Sequence, residues 1–119
     1  MDNDILSYVS NRVEVGVEAK NWVDAIRKAG ELLEKDGIVE RRYVEAMISI
    51  VEKLGAYIVL APGIAIPHAR PEDGALNVGL SIVVLAKPVE FGSPNDPVKV
   101  VIAFASPDKT SHLSLLKLL

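Results

Sequence analysis

Two nearly uninterrupted apolar runs, residues 78–86 (V-G-L-S-I-V-V-L-A) and 98–105 (V-K-V-V-I-A-F-A), constrain this chain more than any other feature. Each has the length of a strand, and neither alternates as a strand with one wet face would. Hydrophobic residues make up 50% of the chain and aromatics only 5%, so the apolar mass is Val, Ile, Leu and Ala. A sheet covered on both faces by helices accommodates both facts. The 119 residues suffice for one core and not for two, which predicts a single domain over residues 1–119.

The rest of the chain supplies the covering elements. Residues 4–9 read as a short helix with Ile5, Leu6 and Val9 on one side. Residues 12–18 (R-V-E-V-G-V-E) alternate, with Val13, Val15 and Val17 on one face. Arg12, Glu14 and Glu18 suit the wet side or the strand ends, which predicts a strand with one solvated face or an edge position. Asn21 is placed to cap a helix whose apolar positions Trp22, Ile26, Ala29, Leu32 and Leu33 recur at helical spacing, and Gly37 ends it. A second helix over residues 41–54 carries Val44, Met47, Ile48 and Val51, with Gly55 closing it. The short linker makes the two helices neighbours. Strand-like runs follow at 57–60, 64–66, 78–86 and 98–105, and an apolar-periodic helix begins near residue 111. The order α-β-α-α-β-β-β-β-α predicts an α/β or α+β fold, a mixed β-sheet sandwiched by helices.

Several function classes are disfavoured at this point. A formal net charge of −3 with interspersed signs lacks the basic stripe of a nucleic-acid binder. With no cysteine, disulfides, thiolate catalysis and Cys-rich zinc sites are excluded. The chain has no P-loop, no G-x-G-x-x-G, and no nucleophile elbow around Ser81, Ser93 or Ser106. Neither histidine has the H-x-x-x-H or E-x-x-H spacing of a metal site, so no metal and no cofactor are expected. The start, M-D-N-D-I-L-S, has no secretory character, and no apolar run approaches the about 18 residues of a membrane span, so the chain reads as cytoplasmic.

The chemistry concentrates on two histidines. His68 lies in A-P-G-I-A-I-P-H-A-R, where a short apolar run is cut by Pro67. Proline cannot extend a ladder, so the chain leaves the sheet there and presents an imidazole at its rim. The bland alternative is a strand-end histidine satisfied by a backbone carbonyl. Against it, Pro62-Gly63 and Pro67 fix the backbone on both sides, and a neutral imidazole there has the properties of a nucleophile or proton carrier. His112, in S-H-L, either is a surface residue or sits in a first helical turn capped by Thr110 or Ser111. In the second case the helix dipole keeps it neutral and favours an anion, which points to a phosphate-like ligand between the two histidines. Arg70 could assist such a phosphate, or be a solvated charge beside Glu72 and Asp73.

The segment P-G-I-A-I-P-H-A-R-P-E-D-G resembles the active-site signature of the EIIA components of the bacterial phosphotransferase system (PTS), type-2 fructose/mannitol superfamily. The likeness extends through R-Y-V-E-A-M-I, K-P-V-E-F-G-S, N-D-P-V-K-V-V-I-A-F-A and S-H-L-S-L-L, in the family's order. V-E-K-L-G-A-Y-I-V-L-A-P-G-I-A-I-P-H and N-D-P-V are most similar to the ascorbate-specific branch. Fructose and mannitol types carry an Arg-Glu pair after the second helix, where Ile50-Val51-Glu52 stands here. The resemblance implies a mannitol-EIIA-like fold and a cytoplasmic phosphotransferase component. His68 would become a tele-phosphohistidine by accepting a phosphoryl group from phospho-HPr, and His112 would stabilise that group. The group would pass to an EIIB component, serving sugar uptake through a membrane EIIC. Ile64, Ile66 and Pro67 would form an apolar partner surface. The alternatives are a regulatory module acting through its phosphorylation state and, more remotely, a metal-assisted hydrolase. Family domains continue past the His112 helix, so residues 1–119 are expected to lack the C-terminal helices and to leave Leu115, Leu116, Leu118 and Leu119 partly uncovered.

Overall fold

A computed structural model describes residues 6–108. Its elements are α1 (Leu6–Val9), β1 (Val13–Val17), α2 (Trp22–Lys35), α3 (Arg41–Leu54), β2 (Ile64–Ala65), a 3-10 turn (Pro71–Asp73), β3 (Gly79–Val89) and β4 (Val98–Ala105). His112 and the helix expected from residue 111 lie outside the described residues.

The two apolar runs pair with each other at the centre of one sheet of order β1-β3-β4-β2. β3 and β4 run antiparallel, while β1 is parallel to β3 and β2 parallel to β4, so the sheet is mixed. One face places Val83 opposite Val101 and Ser81 opposite Ala103, beneath α2 and α3. The other sets Leu80 opposite Phe104 and Ile82 opposite Ile102, with Tyr8 and Val9 of α1 packed against them. The serine within the longest apolar run is reconciled with burial because its Oγ donates to the Ala29 carbonyl of α2 at 2.8 Å.

Local chemistry sets the helices as expected. The Asn21 side chain accepts the Asp24 N–H at 2.9 Å, and α2 buries Ala25, Ile26, Ala29, Leu32 and Leu33. α3 buries Val44, Met47, Ile48 and Val51, and ends at Gly55 with φ +86°. The two helices touch at Gly30, where a Cβ would stand 2.8 Å from Val44 Cγ1. No helix among the described residues is long and apolar enough to cross a membrane.

Three expectations are corrected. Residues 57–60 form a turn rather than a strand, because their carbonyls find partners other than a neighbouring strand. The Ile58 carbonyl accepts from Ile66 N–H, and the Val59 carbonyl from the Asn95 side chain. The run 64–66 shortens to Ile64–Ala65 for the same reason. In β1 the wet and dry assignments differ from the alternation. Arg12 is buried, its guanidinium donating to the Leu80 and Tyr8 carbonyls and to Asp36, whereas Val13 and Val15 face outward on the outer strand. Three backbone and carboxylate acceptors in different directions outweigh the desolvation of one arginine.

Candidate active site

β2 is an edge strand, and its register with β4 carries past its end. Ile64 pairs with Val100 and Ala65 with Val101, an offset that sets His68 opposite Phe104. The chain still follows β4 there, for Phe104 N–H donates to the Pro67 carbonyl at 3.3 Å. Pro67 can give nothing back to the ladder, so the edge opens and the His68 side chain stands over the outer face of the sheet.

The imidazole is held on several sides. Its ring stacks on Phe104, centroids 4.6 Å apart and planes inclined by 23°. Tyr57 meets it edge-on at 6.1 Å. Nδ1 lies 2.9 Å from the Ile66 carbonyl, which can only accept, so Nδ1 carries the proton. In the neutral ring the lone pair is then on Nε2. The bland reading of His68, a carbonyl-satisfied strand-end histidine, and the reactive one are thus compatible: the carbonyl takes one nitrogen and thereby orients the other.

One loop and one helix brace this edge. The carboxylate of Asp96 accepts N–H bonds from Phe91, Gly92 and Ser93 at 2.8–3.0 Å. Desolvation pushes its pKa up, but the bonds from Phe91, Ser93 and Gly92 outweigh that and hold it below the ordinary carboxylate value. Asn95 next to it donates to the Val59 carbonyl and accepts from Gly63 N–H with its own backbone, tying the β3–β4 loop to the turn that launches β2. The second brace is Tyr43 of α3, fully buried, whose hydroxyl lies 2.8 Å from the Phe104 carbonyl and accepts the Ala69 N–H at 3.0 Å. Burial drives its pKa far up, only partly opposed by the Ala69 N–H, so it is a neutral phenol.

Of the residues singled out in the sequence, the structure builds the site around His68. Arg70 is a solvated loop charge beside Glu72 and Asp73, its side chain 74% exposed. Ile66 and Pro67 are buried and Ile64 half-buried, so they support the histidine from below. The exposed apolar group that meets the ring on this edge is Tyr57, from the turn that stands where a strand was expected. Tyr43, Phe104, Asn95 and Asp96 escaped notice as site residues. Tyr43 lies at the start of the second helix, four residues before Met47 of its apolar stripe, and Phe104 is the sole aromatic in either long apolar run. Among the described residues no group of three or more His, Cys, Asp or Glu could hold a metal ion.

Fold and site define a small α/β domain that, among the described residues, presents the His68 imidazole, oriented through Nδ1, at the open end of an edge strand. A family model described as "Phosphoenolpyruvate-dependent sugar phosphotransferase system, EIIA 2" matches residues 8–119, and the chain belongs to this family. It is 41% identical over 104 residues to an ascorbate-specific PTS system EIIA component of Salmonella choleraesuis, covering 87% of this chain and 68% of the relative. The mannitol-specific cryptic phosphotransferase enzyme IIA CmtB of Escherichia coli superimposes with a TM-score of 0.88 at 33% identity, over 97% of this chain and 79% of that one. Enzyme IIA mannitol of the same species, solved in complex with phosphorylated enzyme IIB mannitol, gives 0.76 at 32% identity, over 91% and 75%. The mixed sheet with its two long helices and the fold class read from the sequence agree with these structures.

Proposed function

We propose that this chain is the phosphocarrier of a sugar PTS of ascorbate type, working in the cytoplasm as one domain. It accepts a phosphoryl group from phospho-HPr on Nε2 of His68 and passes it to an EIIB component, which serves uptake through a membrane EIIC. The observation carrying this reading is the 2.9 Å bond from Nδ1 to the Ile66 carbonyl, which leaves the lone pair on Nε2. In the transfer, Nε2 attacks phosphorus in line while the P–N bond of the donor phosphohistidine breaks. Nδ1 keeps its proton throughout, and the positive charge that develops on the imidazole is shared with the carbonyl dipole. Phe104 beneath the ring fixes the direction of approach, which is most of what a protein contributes to phosphoryl transfer. Tyr57 gives an apolar rim able to exclude water beneath a docked partner. His112 is assigned to stabilise the phosphoryl group once it arrives.

The test is a reconstituted relay with phosphoenolpyruvate, enzyme I and HPr, followed by acid-labile, base-stable label. Wild type takes label and His68→Ala takes none. His112→Ala takes label but transfers it poorly to EIIB. Label retained by His68→Ala overturns the assignment, and label that moves to no EIIB favours the regulatory alternative.

A further inference from the structure

Resting on that reading, a second residue is drawn into the site by the geometry of the ladder. In a parallel pair, the residue opposite His68 receives two bonds: its N–H donates to the carbonyl before His68, and its carbonyl accepts the N–H after it. Phe104 makes the first, to Pro67, at 3.3 Å. The second should run from Ala69 N–H to the Phe104 carbonyl. Instead Ala69 N–H donates to the Tyr43 hydroxyl at 3.0 Å, and that hydroxyl stands 2.8 Å from the Phe104 carbonyl. The phenol also lies 3.2 Å from the Ala69 carbonyl, but with one proton to give, the shorter contact to Phe104 takes it. A hydroxyl from α3 is therefore inserted into a strand-to-strand bond, one residue after the histidine.

We propose that Tyr43 is a positioning residue for His68, its hydroxyl acting as a spacer that holds the edge strand off β4 so that the imidazole stands on Phe104 with Nδ1 on Ile66. The spacer is rigid for three reasons. It is fully buried, its phenol stays neutral, and α3 is anchored by Val44 and Met47 on the core side. Without the hydroxyl, Ala69 N–H and the Phe104 carbonyl either close directly, drawing the backbone after His68 toward β4, or stay apart and unpaired. Both outcomes shift the ring relative to its carbonyl and its floor, and displacements of about 1 Å cost on the order of a hundredfold in positioned reactions.

Tyr43→Phe is compared with wild type in the rate of label uptake from phospho-HPr and in the ring 15N resonances of His68, which report the tautomer and are indifferent to a general loss of stability. The expected result is a folded variant with uptake slowed about tenfold or more and His68 ring signals moved from the Nδ1–H pattern. Uptake within about twofold of wild type together with unchanged ring signals overturns the proposal. Should Tyr43→Phe fail to fold, 3-fluorotyrosine at position 43 keeps the shape and weakens the oxygen as an acceptor. It should shift the Ala69 amide and the His68 ring signals, and no shift in either refutes the spacer. If wild type takes no label at all, the phosphocarrier reading fails, while the ring signals still decide the role of Tyr43.

Discussion

Gly30→Ala sets two opposed effects against each other, and the structure says which prevails. In an unhindered helix interior, alanine for glycine gains about 1 kcal/mol. At Gly30, however, the added Cβ would stand 2.8 Å and 2.9 Å from the two Val44 methyls and 3.2 Å from Met47 Cε. Comfortable carbon contacts lie near 3.5–4.0 Å, so something must move by more than half an ångström. Val44 cannot turn aside, because a β-branched residue in a helix has essentially one χ1 rotamer, and it is buried. The yielding element is therefore α3, and overpacking of this kind costs about 1–3 kcal/mol. The upper part of that range applies where neither side chain nor backbone has slack, leaving a net loss of about 1–2 kcal/mol after the helix gain. That corresponds to a fall in Tm of about 4–8 °C, read by far-UV circular dichroism and by urea unfolding. Because Tyr43 adjoins Val44, retreat of α3 should also slow phosphoryl uptake. The double variant Gly30→Ala/Val44→Ala should lose less than the sum of its singles, since the new methyl fills the space the valine leaves. A Tm at or above wild type for Gly30→Ala, with additive singles, would refute the close approach of the two helices.

Two further expectations concern charged side chains that tie loops and strands together, Asp96 and Arg12. Asp96 has its pKa held below the unfolded carboxylate value of about 3.9, so its contribution is fully present above that pH and is lost as pH falls through the lower folded value. Asp96→Asn should therefore cost up to about 1 kcal/mol at pH 7, screened by solvent, and urea melts of the variant and wild type should converge as the pH drops below about 3.9. Arg12→Met leaves the Leu80 and Tyr8 carbonyls and Asp36 without their donor, and should lower stability by about 2–4 kcal/mol with little change in the His68 ring signals. Equal stability of Arg12→Met and wild type in urea would show that the buried guanidinium contributes nothing.

The parts of the fold that local pattern can encode were legible: the two central strands as nearly unbroken apolar runs, the two long helices by their 3.6-residue period, the Asn21 cap and the Gly55 stop. What periodicity cannot encode is where a polar group finds its partner across the chain. Arg12 looked wet because nothing local reveals that Leu80, Tyr8 and Asp36 converge on it. Residues 57–60 looked like a strand because Y-I-V-L has strand composition, while the carbonyls that decide the matter are claimed by Asn95 and Ile66. The place of His68 at the rim of the sheet was legible through the proline before it. Its floor and its spacer were not, because Phe104 is 36 positions away and Tyr43 sits on a helix.

The same long-range wiring bears on the order of folding. β1 must wait for β3, since Val13 pairs with Ile82, and β2 for β4, since Ile64 pairs with Val100. Parallel pairings across such sequence separations carry a large closure entropy, so they are expected to form after the local helices and the β3–β4 pair. On that order, His68 would acquire its floor, its spacer and its rim only with that last closure. A partly folded chain would carry the histidine and still be unable to display it, so the phosphoryl uptake proposed for His68 would report completion of the sheet.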